Sequence, residues 1–90
     1  MDFPPDDPHG YVRLARSLDF VANELRHAGF DEGFVAIDRA RAFRSGSPTE
    51  YLGEAALALD WVLRHSTKLS PSLVAFMSAL AAELRAGLQG

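Results

Sequence analysis

The sequence contains no cysteine, and this absence removes several classes of site at once. A chain without thiols forms no disulfide, holds no cysteine-ligated zinc or iron–sulfur cluster, and has no cysteine nucleophile. It also lacks an apolar run near the roughly 18 residues that a membrane-spanning helix needs. Its start, MDFPPDDP, is acidic and proline-rich, unlike the basic and then apolar start of a secretory signal. We therefore expect a cytoplasmic protein with no membrane partner.

Positive charge is scarce as well. Nine Lys and Arg residues stand against twelve Asp and Glu residues, which gives a formal net charge of −3. Domains that bind nucleic acid are usually basic, because they neutralise phosphates. The charge balance therefore predicts no nucleic-acid partner and no anionic membrane surface. A glycine-rich phosphate loop is also missing, since Gly29, Gly33, Gly46 and Gly53 are widely spaced.

What is present is the composition of one ordinary globular domain. Hydrophobic residues make up 48% of the 90 residues, which is enough for one core. Pro4, Pro5 and Pro8 prevent regular structure at the start of the chain, and the aspartates beside them favour solvation. We predict a disordered acidic, proline-rich tail over residues 1–8 and a single helical domain over residues 9–90.

Apolar residues recur every three or four positions in four segments, which is the spacing of one helix face. The predicted helices cover residues 9–27, 32–44, 48–66 and 71–88. No segment alternates with a period of two, so we predict no strands. Short linkers favour antiparallel neighbours. The predicted fold is therefore all-α, a compact antiparallel bundle of about four helices with short loops.

Capping residues mark the ends of these helices. Gly29 supplies a left-handed residue after the first helix, and Asp31 is expected to cap the second. Ser47 and Glu50 fit a capping box at the start of the third helix. Ser70 is expected to cap the fourth helix in the same way.

Two helices contain residues that depart from their own pattern. In the second helix, Val35 and Phe43 lie off the apolar face that Phe34 and Ile37 share. In the third, Gly53 occupies a helix interior, where glycine costs about 1 kcal/mol relative to alanine. We expect this glycine to let another helix approach closely; the alternative is a glycine that is simply tolerated there.

Glu24 and His27 have the one metal-like spacing, three residues apart on a helix. Di-iron bundles need two such motifs and further inward carboxylates, whereas this chain has one copy. A histidine in the last turn of a helix is favoured by the helix dipole without any metal. We predict no metal ligands, no cofactor and no catalytic residues. A metal-dependent or small-ligand-dependent helical enzyme that uses Glu24 and His27 is the first alternative.

Arg39, Arg41 and Arg44 crowd the end of the second helix, just before a break and a new helix. This order loosely matches a helix-turn-helix, so a nucleic-acid-binding regulator is the second alternative. The helix that follows carries Glu50 and Glu54, which would repel phosphates. We favour an interpretation in which the arginines pair with acidic side chains on a solvated face.

The third helix has apolar residues on two sides. Leu57 and Trp61 lie opposite the main stripe of Leu52, Leu59 and Val62. A helix that is apolar on both sides either lies at the centre of its domain or presents one side to a partner. The stripe is therefore open to two interpretations, a core position for Trp61 or an interface.

The predicted interface contains four residues on two helices. Leu57 and Trp61 form an apolar patch, and Arg64 belongs to its charged border. Phe20 points away from the apolar stripe of the first helix and is included for that reason. Aromatic residues surrounded by charge are typical of protein interfaces with a polar rim.

The segment from Ser45 to Glu54 resembles a turn found in small bacterial helical proteins that have no assigned function. In these proteins a helix ends near a glycine, and a Gly-Ser-x-Thr-Glu-x-Leu turn, here Gly46 to Leu52, opens the next helix. The resemblance covers about residues 18–88 and implies a bacterial, cytoplasmic helical domain, and it provides no active-site residues to carry over to this chain. Immunity proteins of bacterial toxins are similar in type, being small, acidic and helical.

These observations lead to one functional hypothesis. Small size, acidic charge and the Leu57/Trp61 stripe favour a non-catalytic protein-interaction module with a regulatory or immunity-like role. It would act by homodimerisation, by binding a partner protein, or by both.

Overall fold

Four α-helices make up the fold in the computed structural model, which describes residues 11–66 and 68–89. Within these residues the helices are α1 (Tyr11–His27), α2 (Asp31–Arg41), α3 (Pro48–His65) and α4 (Pro71–Gln89). A 3₁₀ helix (Ala42–Ser45) follows α2 directly, and no strand occurs in this part of the chain. The predicted all-α bundle of four helices is confirmed. The predicted tail over residues 1–8 lies outside the described residues.

The capping predictions meet mixed outcomes. Gly29 has a φ of 77°, the left-handed conformation expected after α1. The Ser70 hydroxyl accepts a hydrogen bond from the Leu73 N–H at 3.2 Å, which confirms the cap of α4. Ser47 precedes α3 as expected, but its side chain makes no capping hydrogen bond. Asp31 is the first helical residue of α2 and Phe30 holds the capping position, so the prediction for Asp31 is wrong.

The predicted end of the second helix is also late. The α-helix ends at Arg41, and the tighter 3₁₀ helix continues to Ser45. Helices often end in a 3₁₀ turn, because its hydrogen bonds satisfy carbonyls that have no partner at the end of an α-helix. Both segments are helical, so the apolar pattern alone does not separate them.

Side-chain pairs establish that α1 and α2 run antiparallel. Arg41 near the end of α2 pairs with Asp19 of α1, with Nη1 and Oδ1 2.9 Å apart. The guanidinium of Arg26, near the end of α1, lies 5.5 Å from the ring centroid of Phe34, near the start of α2. The end of α1 therefore lies beside the start of α2, and the end of α2 lies beside an earlier part of α1. The short connection from α1 to α2 permits this arrangement.

Helix α4 runs antiparallel to α1 by the same reasoning. Arg13 at the start of α1 pairs with Glu83 near the end of α4. Phe20 contacts Phe76, nearer the start of α4, with ring centroids 5.1 Å apart. A further ion pair, Arg85 with Asp60, joins α4 to α3.

Helix α3 packs against both α2 and α4, and its contact with α4 is the most extensive between two helices of the bundle. Half of its buried residues are alanines, and the full set is Tyr51, Ala55, Ala56, Ala58, Leu59 and Val62. The largest side chains that are fully buried come from all four helices: Leu18, Val21, Leu25, Ile37, Leu59, Val62 and Met77. One continuous core therefore holds the four helices together.

Two of the helical glycines, Gly53 and Gly33, have opposite surroundings. A Cβ built on Gly53 would meet no atom within 4 Å, so the expectation of a close helix approach there is wrong. A Cβ on buried Gly33 would lie 2.7 Å from Cδ2 of Phe30, whose ring covers this glycine. Gly33 is therefore the glycine that a neighbouring group approaches closely, and that group is the ring of Phe30, three residues earlier in the chain.

This contrast predicts opposite effects of the same substitution. Gly53→Ala should raise the free energy of unfolding by up to about 1 kcal/mol, because alanine favours a helix interior and meets open space. Gly33→Ala should lose that gain, since the ring of Phe30 must move to admit the methyl group. Urea unfolding of both variants measures the difference. Equal gains at the two positions would show that the Phe30 ring moves aside without a loss of stability.

The hydroxyl of Tyr51 is buried without a hydrogen-bond partner among the described residues. The residue is 3% exposed and lies on the core side of α3. Burial raises the pKa of this phenol above its ordinary value, because the charged form loses its hydration. An unpaired buried polar group typically costs about 1–3 kcal/mol.

Tyr51→Phe should therefore stabilise the fold, by about 1 kcal/mol at neutral pH. The folded protein holds the phenol proton more tightly than the unfolded chain does. The part of the stability that is linked to this proton is thus fully present below the unfolded pKa of about 10, and it is lost as pH rises through the higher folded pKa. Urea unfolding at pH 7 and above pH 10 should show a smaller alkaline loss in Tyr51→Phe than in the parent. Identical losses would assign the alkaline effect to other groups.

Candidate functional site

A surface groove runs between α2 and α3 and encloses about 570 Å³. We call it the α2–α3 groove and define it by its lining residues: Asp31, Glu32, Val35, Ala36, Arg39, Ala40, Glu54, Leu57, Ala58 and Trp61. Both residues of the predicted Leu57/Trp61 stripe lie in it. Its volume falls in the range of sites that hold small molecules or partner side chains.

The groove exists because the facing surfaces of α2 and α3 carry alanines. Ala36, Ala40 and Ala58 lie along it and are too small to fill the space at the surface. On the core side of the same helices, Ile37 and Leu59 are fully buried and close the contact. The two helices are therefore packed on the inside and left open on the outside.

The middle of the groove is apolar and accessible to solvent. Leu57 is 63% exposed and Val35 is 44% exposed. Trp61 is partly buried and packs against the core with part of its ring. One exposed leucine is common on protein surfaces, but here it lies in one groove with a second aliphatic side chain and an indole.

Aromatic neighbours hold the Trp61 indole in place. The ring centroid of His65 lies 4.2 Å away and that of Phe30 6.0 Å away, and both rings are nearly parallel to the indole. His65 Nδ1 lies 2.8 Å from the Trp61 carbonyl oxygen. Because a carbonyl only accepts, Nδ1 carries the hydrogen in this contact. Trp61 is thus a rigid aromatic residue with one side in the core and one side in the groove.

The charged residues of the groove are mainly acidic. Asp31, Glu32 and Glu54 line it, together with a single cation, Arg39. None of these four residues forms an ion pair within the described part of the chain. Four of the six described acids outside the groove pair with arginines, namely Asp19, Asp38, Asp60 and Glu83, whereas Glu24 and Glu50 do not. The groove therefore carries more negative than positive charge, with three carboxylates against one arginine.

The structure divides the four predicted interface residues among three places. Leu57 and Trp61 share the groove. Phe20 is 48% exposed and contacts Phe76 between α1 and α4, away from the groove lining. Arg64 is exposed, and its Nε lies 3.4 Å from the Asp60 carbonyl oxygen of its own helix. Phe20 and Arg64 therefore do not line the groove that Leu57 and Trp61 share.

Sequence reasoning missed the half of the groove that α2 contributes. Val35 did carry a signal, because it departs from the apolar face of its helix just as Leu57 does on α3. Two off-face aliphatic residues on consecutive helices become one groove only when the helices pack side by side. Asp31, Glu32 and Ala36 carry no signal of their own, because acids and alanine are ordinary on a helix surface.

The basic residues at the end of α2 are partly neutralised. Arg41 donates to Asp38 at 2.6 Å and to Asp19 of α1 at 2.9 Å, as the solvated-face interpretation predicts. Burial lowers the pKa of Arg41, but the hydrogen bonds to Asp38 and Asp19 outweigh this effect and leave the pKa above its usual value. Arg39 points to a different environment, the acidic groove.

The residues of the enzymatic alternative lie apart from the groove. Glu24 is half-buried and His27 exposed, both on α1. Within residues 11–66 and 68–89, no three His, Asp or Glu side chains converge as metal ligands. None of the helices there is long and apolar enough to cross a membrane. Comparisons of the chain with protein-family models, curated proteins and solved structures found no match.

Leu57 and Trp61 should differ sharply in their effect on stability. Leu57→Ser should change the free energy of unfolding by less than about 0.5 kcal/mol, because the side chain is mostly in solvent. Trp61→Ala should cost about 2–4 kcal/mol, because it removes packing against the core and both ring contacts. Urea unfolding of the two variants tests this. A large loss in Leu57→Ser would place Leu57 in the core and exclude it as a surface probe.

Proposed function

We propose that this protein is a non-catalytic protein-interaction module that binds a segment of another protein in the α2–α3 groove. The observation that carries the proposal is the 63% exposure of Leu57 in a groove that also contains Val35 and Trp61. Removing these apolar surfaces from water would favour binding.

The make-up of the groove supports a protein partner. Protein interfaces combine an apolar centre with a polar rim, and tryptophan is among the residues most enriched at their energetic centres. Val35, Leu57 and Trp61 supply the centre, and the acids with Arg39 supply the rim. A groove between two helices also matches the mode in which a partner helix lays its apolar face against a receptor.

Symmetric self-association through this groove is the weaker form of the proposal. In a two-fold dimer the same patch meets itself. The lining carries three acids and one arginine, a formal charge of −2 on each copy. Two such patches would repel each other unless Arg39 of each copy paired across the axis. A partner of different charge avoids this repulsion.

Site-specific photocrosslinking tests the proposal. A benzophenone amino acid replaces Leu57 in the groove, and in a matched control it replaces Ala75, an exposed residue on α4. After irradiation in the native host, position 57 should give discrete protein adducts that position 75 does not give.

If the two positions gave the same adducts, or if position 57 gave none, a docking role for the groove would be refuted. If the sole adduct had twice the monomer mass, the bound partner would be a second copy of this chain. Light scattering over a concentration series should accordingly give the monomer mass for the purified protein.

A further inference from the structure

We infer that the α2–α3 groove selects a basic amphipathic helix, with an apolar centre and Lys or Arg residues on its flanks. This inference rests on the proposed function and adds the chemistry of the partner. It comes from the excess of carboxylates in the groove and from their positions around the apolar centre.

The acids lie at the two ends of the groove. The Phe30–Trp61 contact places the start of α2 beside the end of α3. Asp31 and Glu32 therefore belong to the Trp61 end, and Glu54, earlier on α3, belongs to the opposite end. The apolar residues Val35 and Leu57 lie between these ends along their helices.

Helix capping explains only part of this acidic character. Asp31 and Glu32 occupy the first turn of α2, where the positive end of the helix dipole favours carboxylates. Glu54 lies in the interior of α3, beyond the reach of that effect, and pairs with no arginine in the described part of the chain. A basic group from a partner would form the ion pair that Glu54 lacks.

Arg39 makes the two ends unequal. It lies on α2 a little more than two turns after Asp31, nearer to the Glu54 end, and offsets one negative charge there. The Trp61 end keeps two carboxylates without a cation among the lining residues. The more strongly basic end of a bound helix should therefore lie beside Trp61.

The length of the groove limits the size of the segment that it recognises. Its lining on α2 runs from Asp31 to Ala40, about 14 Å at a rise of about 1.5 Å per residue. A bound helix would contact it over between two and three turns. Apolar residues at positions i, i+3 or i+4, and i+7 would face Val35, Leu57 and Trp61.

Two synthetic peptides of 16 residues test the selection. They share the same leucines at helical spacing and differ only in their flanks, which are Lys and Arg in one and Glu in the other. Trp61 is the sole tryptophan of the chain, so its fluorescence reports on the groove when the peptides contain none. At low salt the basic peptide should bind at least about ten times more tightly, and the difference should shrink as salt screens the charges.

Variants separate the apolar and the charged contributions. Leu57→Ser should weaken both peptides, because it removes shared apolar contact. Glu54→Gln should weaken the basic peptide about threefold or more and leave the acidic peptide no weaker. Ser78→Lys is the matched control, since it changes the net charge by the same amount at an exposed position on α4, and it should have little effect.

Each other outcome has a separate meaning. If position 57 crosslinks to a partner protein but the two peptides bind equally or not at all, the charge selection is wrong and the docking role stands. If Ser78→Lys weakens the basic peptide as much as Glu54→Gln does, net charge rather than the groove is responsible and the inference fails. Absence of both crosslinks and peptide binding refutes the docking role itself.

Discussion

The packing of α3 against both α2 and α4 is the constraint on which the rest of the structure depends. Tyr51, Leu59 and Val62 bury their side chains in the common core, together with the small side chains of Ala55 and Ala56. A chain of this size has a single core and little stability to spare. Residues on α3 therefore determine where the bundle is closed and where it is open.

The α2–α3 groove is the outer consequence of that inner packing. Ile37 and Leu59 fill the contact on the core side, whereas Ala36, Ala40 and Ala58 leave space at the surface. Trp61 belongs to both regions, because part of its ring packs on the core and part lines the groove. The apolar stripe on α3 is thus divided, with Trp61 partly in the core and Leu57 mostly in solvent.

Charge is distributed unevenly over the bundle. Ion pairs join the helices at Arg13–Glu83, Arg41–Asp19 and Arg85–Asp60, and these exposed pairs each add little stability. Their more informative effect is that they neutralise acids outside the groove. Asp31, Glu32 and Glu54 are left without an ion pair beside an apolar surface, where Arg39 is the one cation among the lining residues. This excess of negative charge underlies the inferred preference for a basic helix.

The sequence by itself determined the helices and most of their ends, because the three-to-four residue periodicity and residues such as Gly29 and Ser70 act over short distances. It also identified Leu57 and Trp61 as residues outside their own helix's apolar stripe. Only the tertiary structure decided that Val35 joins them, that Phe20 packs with Phe76 elsewhere, and that Gly33 rather than Gly53 is closely covered. These outcomes depend on which helix faces meet, and periodicity within one helix does not specify its neighbour.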